Sequence, residues 1–320
     1  MSGGGTQSLA RLPCAAVGLD YLELFDDQPQ GALVDTGPTP WTVNTGSGPV
    51  ASLGVDAGAQ ALNLQGSRTF ETVVNSADYA GPVLVQIVWG EAGQLEESDS
   101  IEFTYQIGAG PLIVFDRIVG DEPPGVFLAE AAFSVPANTT ITVRVQVITS
   151  VNAEFYSLSH VRVVSINNFV SWRETFADLP DGTIAGDAGA TAWTLIGTTG
   201  DNQIATTNGL KHILISQTRG VQSVAVPIAN TIGGYIVFRC RFRSLQANME
   251  LADQLIGEYR INAGAWVAFF TRANDLTEYT TREIYIDAAG VTSMQVRVRS
   301  NTSDIVERWQ VSLLEMLKVC

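Results

Sequence analysis

The sequence repeats one ordered set of motifs about 150 residues apart, and this duplication constrains the fold more than any other feature. An internal repeat of this length indicates two homologous domains rather than one large fold. We predict an N-terminal arm at 1–20, a first domain at 21–165 and a second domain at 166–320. The positions that recur in the same order are Phe25/Phe176, Pro29/Pro180, Gly31/Gly182, Asp35/Asp187, Gly37/Gly189, Trp41/Trp193, Glu96/Glu250, Asp99/Asp253, Tyr105/Tyr259, Gly110/Gly264 and Glu154/Glu307.

Each copy has the sequence pattern of an all-β domain. Residues 83–89, 140–147 and 235–242 alternate with a period of two and are rich in β-branched and aromatic side chains, as strands are. Turn-forming residues separate such runs, and no segment has the pattern of a capped helix of ten residues or more. Several short strands per copy predict two tandem antiparallel jelly-roll β-sandwich domains preceded by the arm.

The composition excludes several classes of protein. A net charge of −15 argues against a nucleic-acid binder, since such proteins are held on phosphate groups by basic side chains. No apolar run reaches the roughly 18 residues that a membrane span needs. Three cysteines without paired spacing do not form a disulfide framework or a zinc knuckle, and Cys240 is expected in the core. The first 25 residues lack the features of a secretory signal, so we expect no export by that route.

The motif order also carries a resemblance. Each copy runs from Phe-x-x-x-Pro-x-Gly to Trp-Thr, then to an acidic residue three positions before Asp, a Tyr-x-Ile strand and a closing Val-x-Val strand. This order, over roughly residues 20–165 and 172–318, resembles jelly-roll modules of the carbohydrate-binding and MAM-like kind. Such modules are attached to bacterial extracellular proteins and occur in phage virion proteins. The resemblance implies a β-sandwich fold, no enzymatic activity and, in many relatives, a structural calcium ion.

One segment fits an enzymatic pattern. Glu97, Asp99 and Glu102 have the spacing of the carboxylates in certain β-sandwich glycoside hydrolases, where they point into one cleft. The second copy has Leu251 in place of the first glutamate, and small serines replace the apolar residues that pack beneath such a strand. Signatures of hydrolases, metalloproteases and nucleotide-binding enzymes are missing as well. We therefore expect no enzyme and interpret the segment as an acidic turn.

Repeated acidic residues suggest a metal site. If the first and last strands of each copy lie side by side, acids near them converge, and carboxylate oxygens suit Ca²⁺. The alternative is that the aspartates serve turn geometry, the glutamates cover a strand edge and no cofactor binds. The candidate ligands for a structural calcium ion are Asp27, Asp35, Glu154, Asp178, Asp187 and Glu307.

The tryptophans divide into two groups. Trp41 and Trp193 occupy matched positions and are predicted to be buried in equivalent places. The tryptophans without a matched tryptophan in the other copy are predicted to contact a glycan at the surface: Trp89, Trp172 and Trp266.

Arginine supplies nearly all the positive charge, since lysine occurs only at two positions. Residues 1–165 carry 5 basic and 18 acidic side chains, whereas residues 166–320 carry 13 and 15. Alternation places one set of arginines on a single face of its strand, and arginine favours bidentate contacts with carboxylates. We predict a protein interface there, with a solvated outer face as the alternative, at Arg239, Arg241, Arg243, Arg297 and Arg299.

These patterns lead to two functional hypotheses. The first is a non-enzymatic bacteriophage virion protein, a capsid decoration, cement or tail-associated subunit that assembles in the host cytoplasm. It would form a homo-oligomer, with a trimer favoured, and contact other virion proteins, but neither nucleic acid nor membrane. The alternative is an extracellular or cell-surface adhesin that binds a glycan. A β-sandwich glycoside hydrolase ranks last.

Overall fold

The computed structural model describes most of the chain. The described residues are 18–26, 28–44, 52–56, 59–93, 95–96, 98–120, 126–150, 153–182, 187, 191–197, 202–207, 209–228, 234–245, 249–273 and 279–319. The predicted arm at 1–20 therefore lies almost entirely outside them. The chain divides into two compact units, Met1–Asn168 and Phe169–Cys320. Neither unit contains, in its described part, a helix long and apolar enough to cross a membrane.

The first domain has twelve strands among its described residues. They are β1 (Asp20–Glu23), β2 (Val34–Asp35), β3 (Trp41–Val43), β4 (Ser52–Asp56), β5 (Ala59–Leu64), β6 (Arg68–Asn75), β7 (Gly81–Ala92), β8 (Ser100–Ile107), β9 (Ile113–Val119), β10 (Val126–Val135), β11 (Thr140–Ile148) and β12 (Phe155–Ser165).

These strands form two antiparallel sheets. The β7 sheet has the order β10-β7-β12-β5-β4, with β1 also paired to β12. The β11 sheet has the order β2-β3-β6-β11-β8-β9. Ile87 of β7 and Val143 of β11 belong to one hydrophobic core, so the two sheets pack face to face.

The second domain repeats the arrangement. Its described strands are β13 (Phe169–Glu174), β14 (Trp193–Ile196), β15 (Asn202–Thr207), β16 (Leu210–Ser216), β17 (Gly220–Ser223), β18 (Val226–Pro227), β19 (Tyr235–Ser244), β20 (Gln254–Ile261), β21 (Val267–Ala273), β22 (Thr280–Asp287), β23 (Ser293–Asn301) and β24 (Arg308–Val319).

The two sheets of the second domain match those of the first. The β19 sheet has the order β15-β16-β24-β19-β22, with β13 also paired to β24. The β23 sheet has the order β14-β17-β23-β20-β21, with β18 also paired to β23. Phe238 of β19 and Val296 of β23 share the core, and the free Cys240 is buried beside them as the alternation predicts.

The predicted fold class is therefore confirmed: the chain is all-β, with two tandem antiparallel β-sandwich domains. Trp41 and Trp193 are each 1% exposed and lie in equivalent places. Trp41 pairs with Asp35, and Trp193 forms a bridge with Asp187. The prediction that these two rings are buried in matching positions is confirmed.

Candidate functional site

The outer face of the β23 sheet has a carboxylate held between two arginines. Val296 and Val298 point into the core, so Arg297 and Arg299 project to the other side of β23. Glu258 of β20 pairs with Arg297 in the strand register. Arg297 donates to both carboxylate oxygens of Glu258 at 2.8 and 3.0 Å, and Arg299 donates to one of them at 2.8 Å.

The charge state of Glu258 follows from these contacts. Partial burial acts to raise the pKa of its carboxyl, but the hydrogen bonds and charges of Arg297 and Arg299 outweigh burial. The pKa of Glu258 therefore lies below its ordinary value, and the group is ionised at neutral pH.

Trp266 lies directly before β21 and extends over the same face. Its half-buried ring has the guanidinium carbon of Arg297 at 4.2 Å and that of Arg260 at 4.7 Å from the ring centroid. Both distances are within the range of a cation–π interaction. Arg260 is further held by a hydrogen bond of 2.5 Å from its Nε to Gln295. We call this surface the aromatic–arginine face; it consists of Glu258, Arg260, Trp266, Arg297 and Arg299.

The first domain has a different surface at the equivalent place. The β11 sheet presents separate ion pairs, with 2.5 Å between Arg144 and Glu71 and 4.0 Å between Arg117 and Glu102. The repeat places Leu112, which is 43% exposed, where the second domain has Trp266.

The predicted arginine set is divided between two sheets. Arg239, Arg241 and Arg243 lie on β19, whereas Arg297 and Arg299 lie on β23 of the opposite sheet. Alternation gives the face of a strand but does not assign the strand to a sheet. The five arginines therefore do not form one continuous face.

Arg239, one of the three arginines on β19, does not face solvent. It is 1% exposed and forms ion pairs of 2.9 Å with Glu283 and 2.7 Å with Glu315. Its charge is thus compensated within its own domain. An interface role for the five arginines stays a prediction.

Two of the three predicted glycan-contact tryptophans are in the core. Trp89 is 2% exposed and stacks on Phe127 with 4.6 Å between ring centroids. Trp172 is 3% exposed and belongs to the core of the second domain. The prediction of surface contact is wrong for both, because the absence of a matched tryptophan in the other copy does not report exposure. Trp266 remains as the candidate.

Among the described residues, the predicted calcium ligands do not come together in one carboxylate group. Glu23, at the end of β1, pairs with Val161, seven residues beyond Glu154 along the same chain segment. In the second domain Glu174 pairs with Leu314, also seven residues beyond Glu307. First and last strands are adjacent as predicted, but among the described residues Glu154 groups with Glu96 and Asp99 and not with Asp35.

Two of the remaining predicted ligands, Asp35 and Asp187, make local contacts. Asp35 accepts hydrogen bonds from Gln28 at 2.9 Å and from the Gly37 amide at 2.6 Å, as an aspartate in a turn does. Asp187 lies 3.5 Å from the Thr191 hydroxyl, and Asp178 is exposed. Asp27 lies outside the described residues.

Sequence reasoning missed a duplicated buried glutamate. Glu23 accepts the amide of Phe25 and the hydroxyl of Thr39, and Glu174 accepts the equivalent groups of the second domain. Phe25 has a φ of 61°, an unfavourable conformation for a bulky residue, which the glutamate stabilises. Burial raises the pKa of the Glu174 carboxyl. The recurrence of this glutamate in both copies was the signal that could have identified it.

Among the described residues, the carboxylates of the glycoside hydrolase pattern do not come together in one cleft. Glu97 lies outside the described residues. Asp99 is fully buried, whereas Glu102 is on the outer face beside Arg117. Ile101 and Phe103 point into the core, so Glu102 projects away from it and does not share a cleft with Asp99. That the protein is not an enzyme stays a prediction.

The structure does bring Asp99 together with two other carboxylates. Glu96, Asp99 and Glu154 each place one carboxylate oxygen within 4.8 Å of the others. The Ser150 hydroxyl donates to Glu96 and lies 3.4 Å from a carboxylate oxygen of Glu154. In the sequence, Asp99 belongs to the catalytic pattern and Glu154 to the predicted calcium ligands, whereas Glu96 is a candidate for neither site.

Comparisons with known proteins give similar folds only. No protein-family model and no curated protein sequence matches the chain. The chain is similar to the N-terminal CBM22-1–CBM22-2 tandem domain of Xyn10C from Paenibacillus barcinonensis, with 13% identity and a TM-score of 0.32. That match covers 95% of this chain and 98% of the other.

Two further solved structures are similar over most of this chain. One is the M60 catalytic domain with CBM51-1 and CBM51-2 of Clostridium perfringens ZmpB, at 8% identity and a TM-score of 0.25. The match covers 93% of this chain and 39% of the other. The second is a Paenibacillus xanthan lyase, at 12% identity and a TM-score of 0.27, covering 92% of this chain and 27% of the other.

Proposed function

We propose that this chain is a non-catalytic glycan-binding protein and that the aromatic–arginine face of the second domain binds a glycan bearing carboxylate groups. The observation that carries the proposal is the stacking of Trp266 on Arg260 and Arg297 at the surface of the sheet. An indole ring offers apolar area to the C–H groups of a sugar at little entropic cost. The guanidinium groups beside it are donors for sugar hydroxyls and carboxylates.

The charge of the face favours an anionic ligand. The aromatic–arginine face has three guanidinium groups and one carboxylate, Glu258, which pairs with Arg297 and Arg299, within a chain of net charge −15. A guanidinium has five N–H donors in a planar fork. In the described structure the Nε of Arg260 donates to Gln295, and the Nε of Arg299 donates to Glu258. Their terminal nitrogens remain as donors for a carboxylate, which they can hold in a bidentate manner.

The experiment compares Trp266 with its counterpart in the first domain. Binding of the full chain to a polyuronate and to an uncharged glucan of similar length would be measured by isothermal titration calorimetry. We expect wild-type protein to bind the polyuronate, and W266A to lose about tenfold or more in affinity. L112A is the matched control and should bind as wild type does, while W266F should retain part of the affinity.

Salt dependence separates an ionic contact from stacking alone. Binding to the polyuronate should weaken as salt is raised from 0.05 to 0.5 M, because exposed charges are screened. Equal affinity of W266A and wild type would place the site elsewhere. Wild-type protein that binds neither glycan, and forms a discrete trimer by size-exclusion chromatography with light scattering, would overturn the proposal in favour of the virion hypothesis.

A further inference from the structure

We infer that the first domain binds one calcium ion between Glu96, Asp99 and Glu154, and that the second domain has no such site. We call this cluster the acid-turn site. It lies where the turn between β7 and β8 meets the segment before β12. The inference does not depend on glycan binding.

The geometry fits a hard cation of calcium size. Calcium takes oxygen ligands at about 2.3–2.6 Å, so two oxygens on opposite sides of one ion are about 4.6–5.2 Å apart. The three carboxylate oxygens of the acid-turn site lie within 4.8 Å of one another. No histidine or thiol takes part in the group, which disfavours zinc.

A second observation concerns Asp99. It is 0% exposed, and its Oδ2 accepts the amide of Glu96 at 2.9 Å. Its Oδ1 is buried and has no hydrogen-bond partner among the residues that the structure describes. A buried carboxylate oxygen without a partner costs free energy, and such atoms are rare in folded proteins. A cation held with Glu96 and Glu154 would give this oxygen its partner.

The second domain provides an internal comparison. Asp253 is also 0% exposed, and its Oδ2 accepts the amide of Glu250 at 2.7 Å. Its Oδ1, however, accepts the amide of Ser303 at 2.9 Å. The same aspartate is therefore fully satisfied by the backbone. Among the described residues, Glu250, Asp253 and Glu307 do not form a carboxylate group like that of the first domain.

Gly93 permits the close approach of Glu154. It has a φ of +102°, and a Cβ at this position would lie 2.8 Å from the Cγ of Glu154 and 2.9 Å from the carbonyl oxygen of Ala153. A side chain there would displace Glu154 from the site. The glycine thus allows the chain before β12 to contact the turn that carries Glu96 and Asp99.

Calcium binding should tie these two segments together and stabilise the domain. The full chain, freed of metal with EDTA and dialysed, would be titrated with calcium chloride by isothermal titration calorimetry and by thermal melting. We expect one calcium ion per chain and a melting temperature that rises with calcium concentration, as a ligand of the native state requires. Magnesium should bind more weakly, because it demands a nearly octahedral shell.

The variants compare the two aspartates. D99N should lower calcium affinity by about tenfold or more. D253N should leave the affinity of wild type unchanged. E96Q, which changes an exposed side chain, provides a second test if D99N does not fold, and should also weaken binding. Wild-type protein that binds no calcium at millimolar concentration, a D99N protein that binds as wild type does, or a second ion lost in D253N would each overturn the inference.

Discussion

Asp99 and Asp253 occupy the same turn of the two domains, are fully buried in both and accept an amide three residues earlier in both. In the second domain the other carboxylate oxygen is satisfied by the amide of Ser303, whereas in the first it has no hydrogen-bond partner within the described part of the chain. One backbone hydrogen bond thus distinguishes a closed turn from a candidate cation site. A duplicated scaffold can keep its core and still give its two copies different chemistry at the loops.

The outer faces of the sheets also differ between the two domains, and here the candidate site lies in the second domain. The second domain has Trp266 stacked on two arginines, and the first has Leu112 with isolated ion pairs. We therefore infer a division of roles, with glycan binding assigned to the second domain and cation binding to the first.

The largest expected effect tests whether the two cores are equivalent. W41A and W193A should each lower the free energy of unfolding by about 3–5 kcal/mol, because each removes a buried ring. The Trp193 Nε1 donates to Glu174 at 3.0 Å, whereas the Trp41 Nε1 has no hydrogen-bond partner among the described residues. Denaturation of the full chain in guanidinium chloride would measure both variants.

The matched phenylalanine variants isolate that hydrogen bond. W193F should destabilise more than W41F by about 1–3 kcal/mol, since it leaves a buried carboxylate without one donor. Equal destabilisation would show that the bond contributes nothing. An alanine variant that unfolds at the denaturant concentration of the parent would contradict the assignment of its ring to the core.

A smaller effect is expected at the outer faces. E258Q removes a carboxylate that holds two arginines and should cost about 1–2 kcal/mol. E71Q removes one half-exposed pair with Arg144 and should cost less than about 1 kcal/mol. Urea denaturation at low and high salt would compare them. Equal costs would mean that the second arginine adds nothing to the environment of Glu258.

The smallest effect concerns pH. Burial lowers the pKa of His212 in the second domain, and burial followed by the charge of Arg162 lowers that of His160 in the first. The unfolded chain then binds more protons below the ordinary value of 6.5, so stability falls as pH drops from 6.5 towards the lowered folded value. Each histidine can contribute a slope of at most about 1.4 kcal/mol per pH unit.

Unfolding free energies between pH 8 and pH 5 would test this for wild type, H212Q and H160Q. His212 is 1% exposed and His160 is only half-buried, so H212Q should reduce the acid sensitivity more. The variants should match wild type in slope above pH 6.5. Unchanged acid sensitivity in H212Q would show that another group dominates.

Much of the architecture could be predicted from local patterns. Period-two alternation predicted strands such as β7, β11 and β19, and matched positions predicted the burial of Trp41 and Trp193. Alternation failed where a property depends on more than one strand. It could not tell that Arg241 and Arg297 belong to different sheets, nor that Trp89 and Trp172 face the core.

The sequence by itself determined the duplication, the all-β class and the two buried cores, because these depend on periodic side-chain chemistry that recurs along the chain. It could not determine in which copy the carboxylate side chains come together. Glutamate, aspartate, serine and glutamate occur at 96, 99, 150 and 154 and again at 250, 253, 303 and 307. The tertiary structure decided the difference, because the partner of the buried aspartate is a backbone amide whose position depends on the path of a loop about 50 residues away and not on the identity of its side chain.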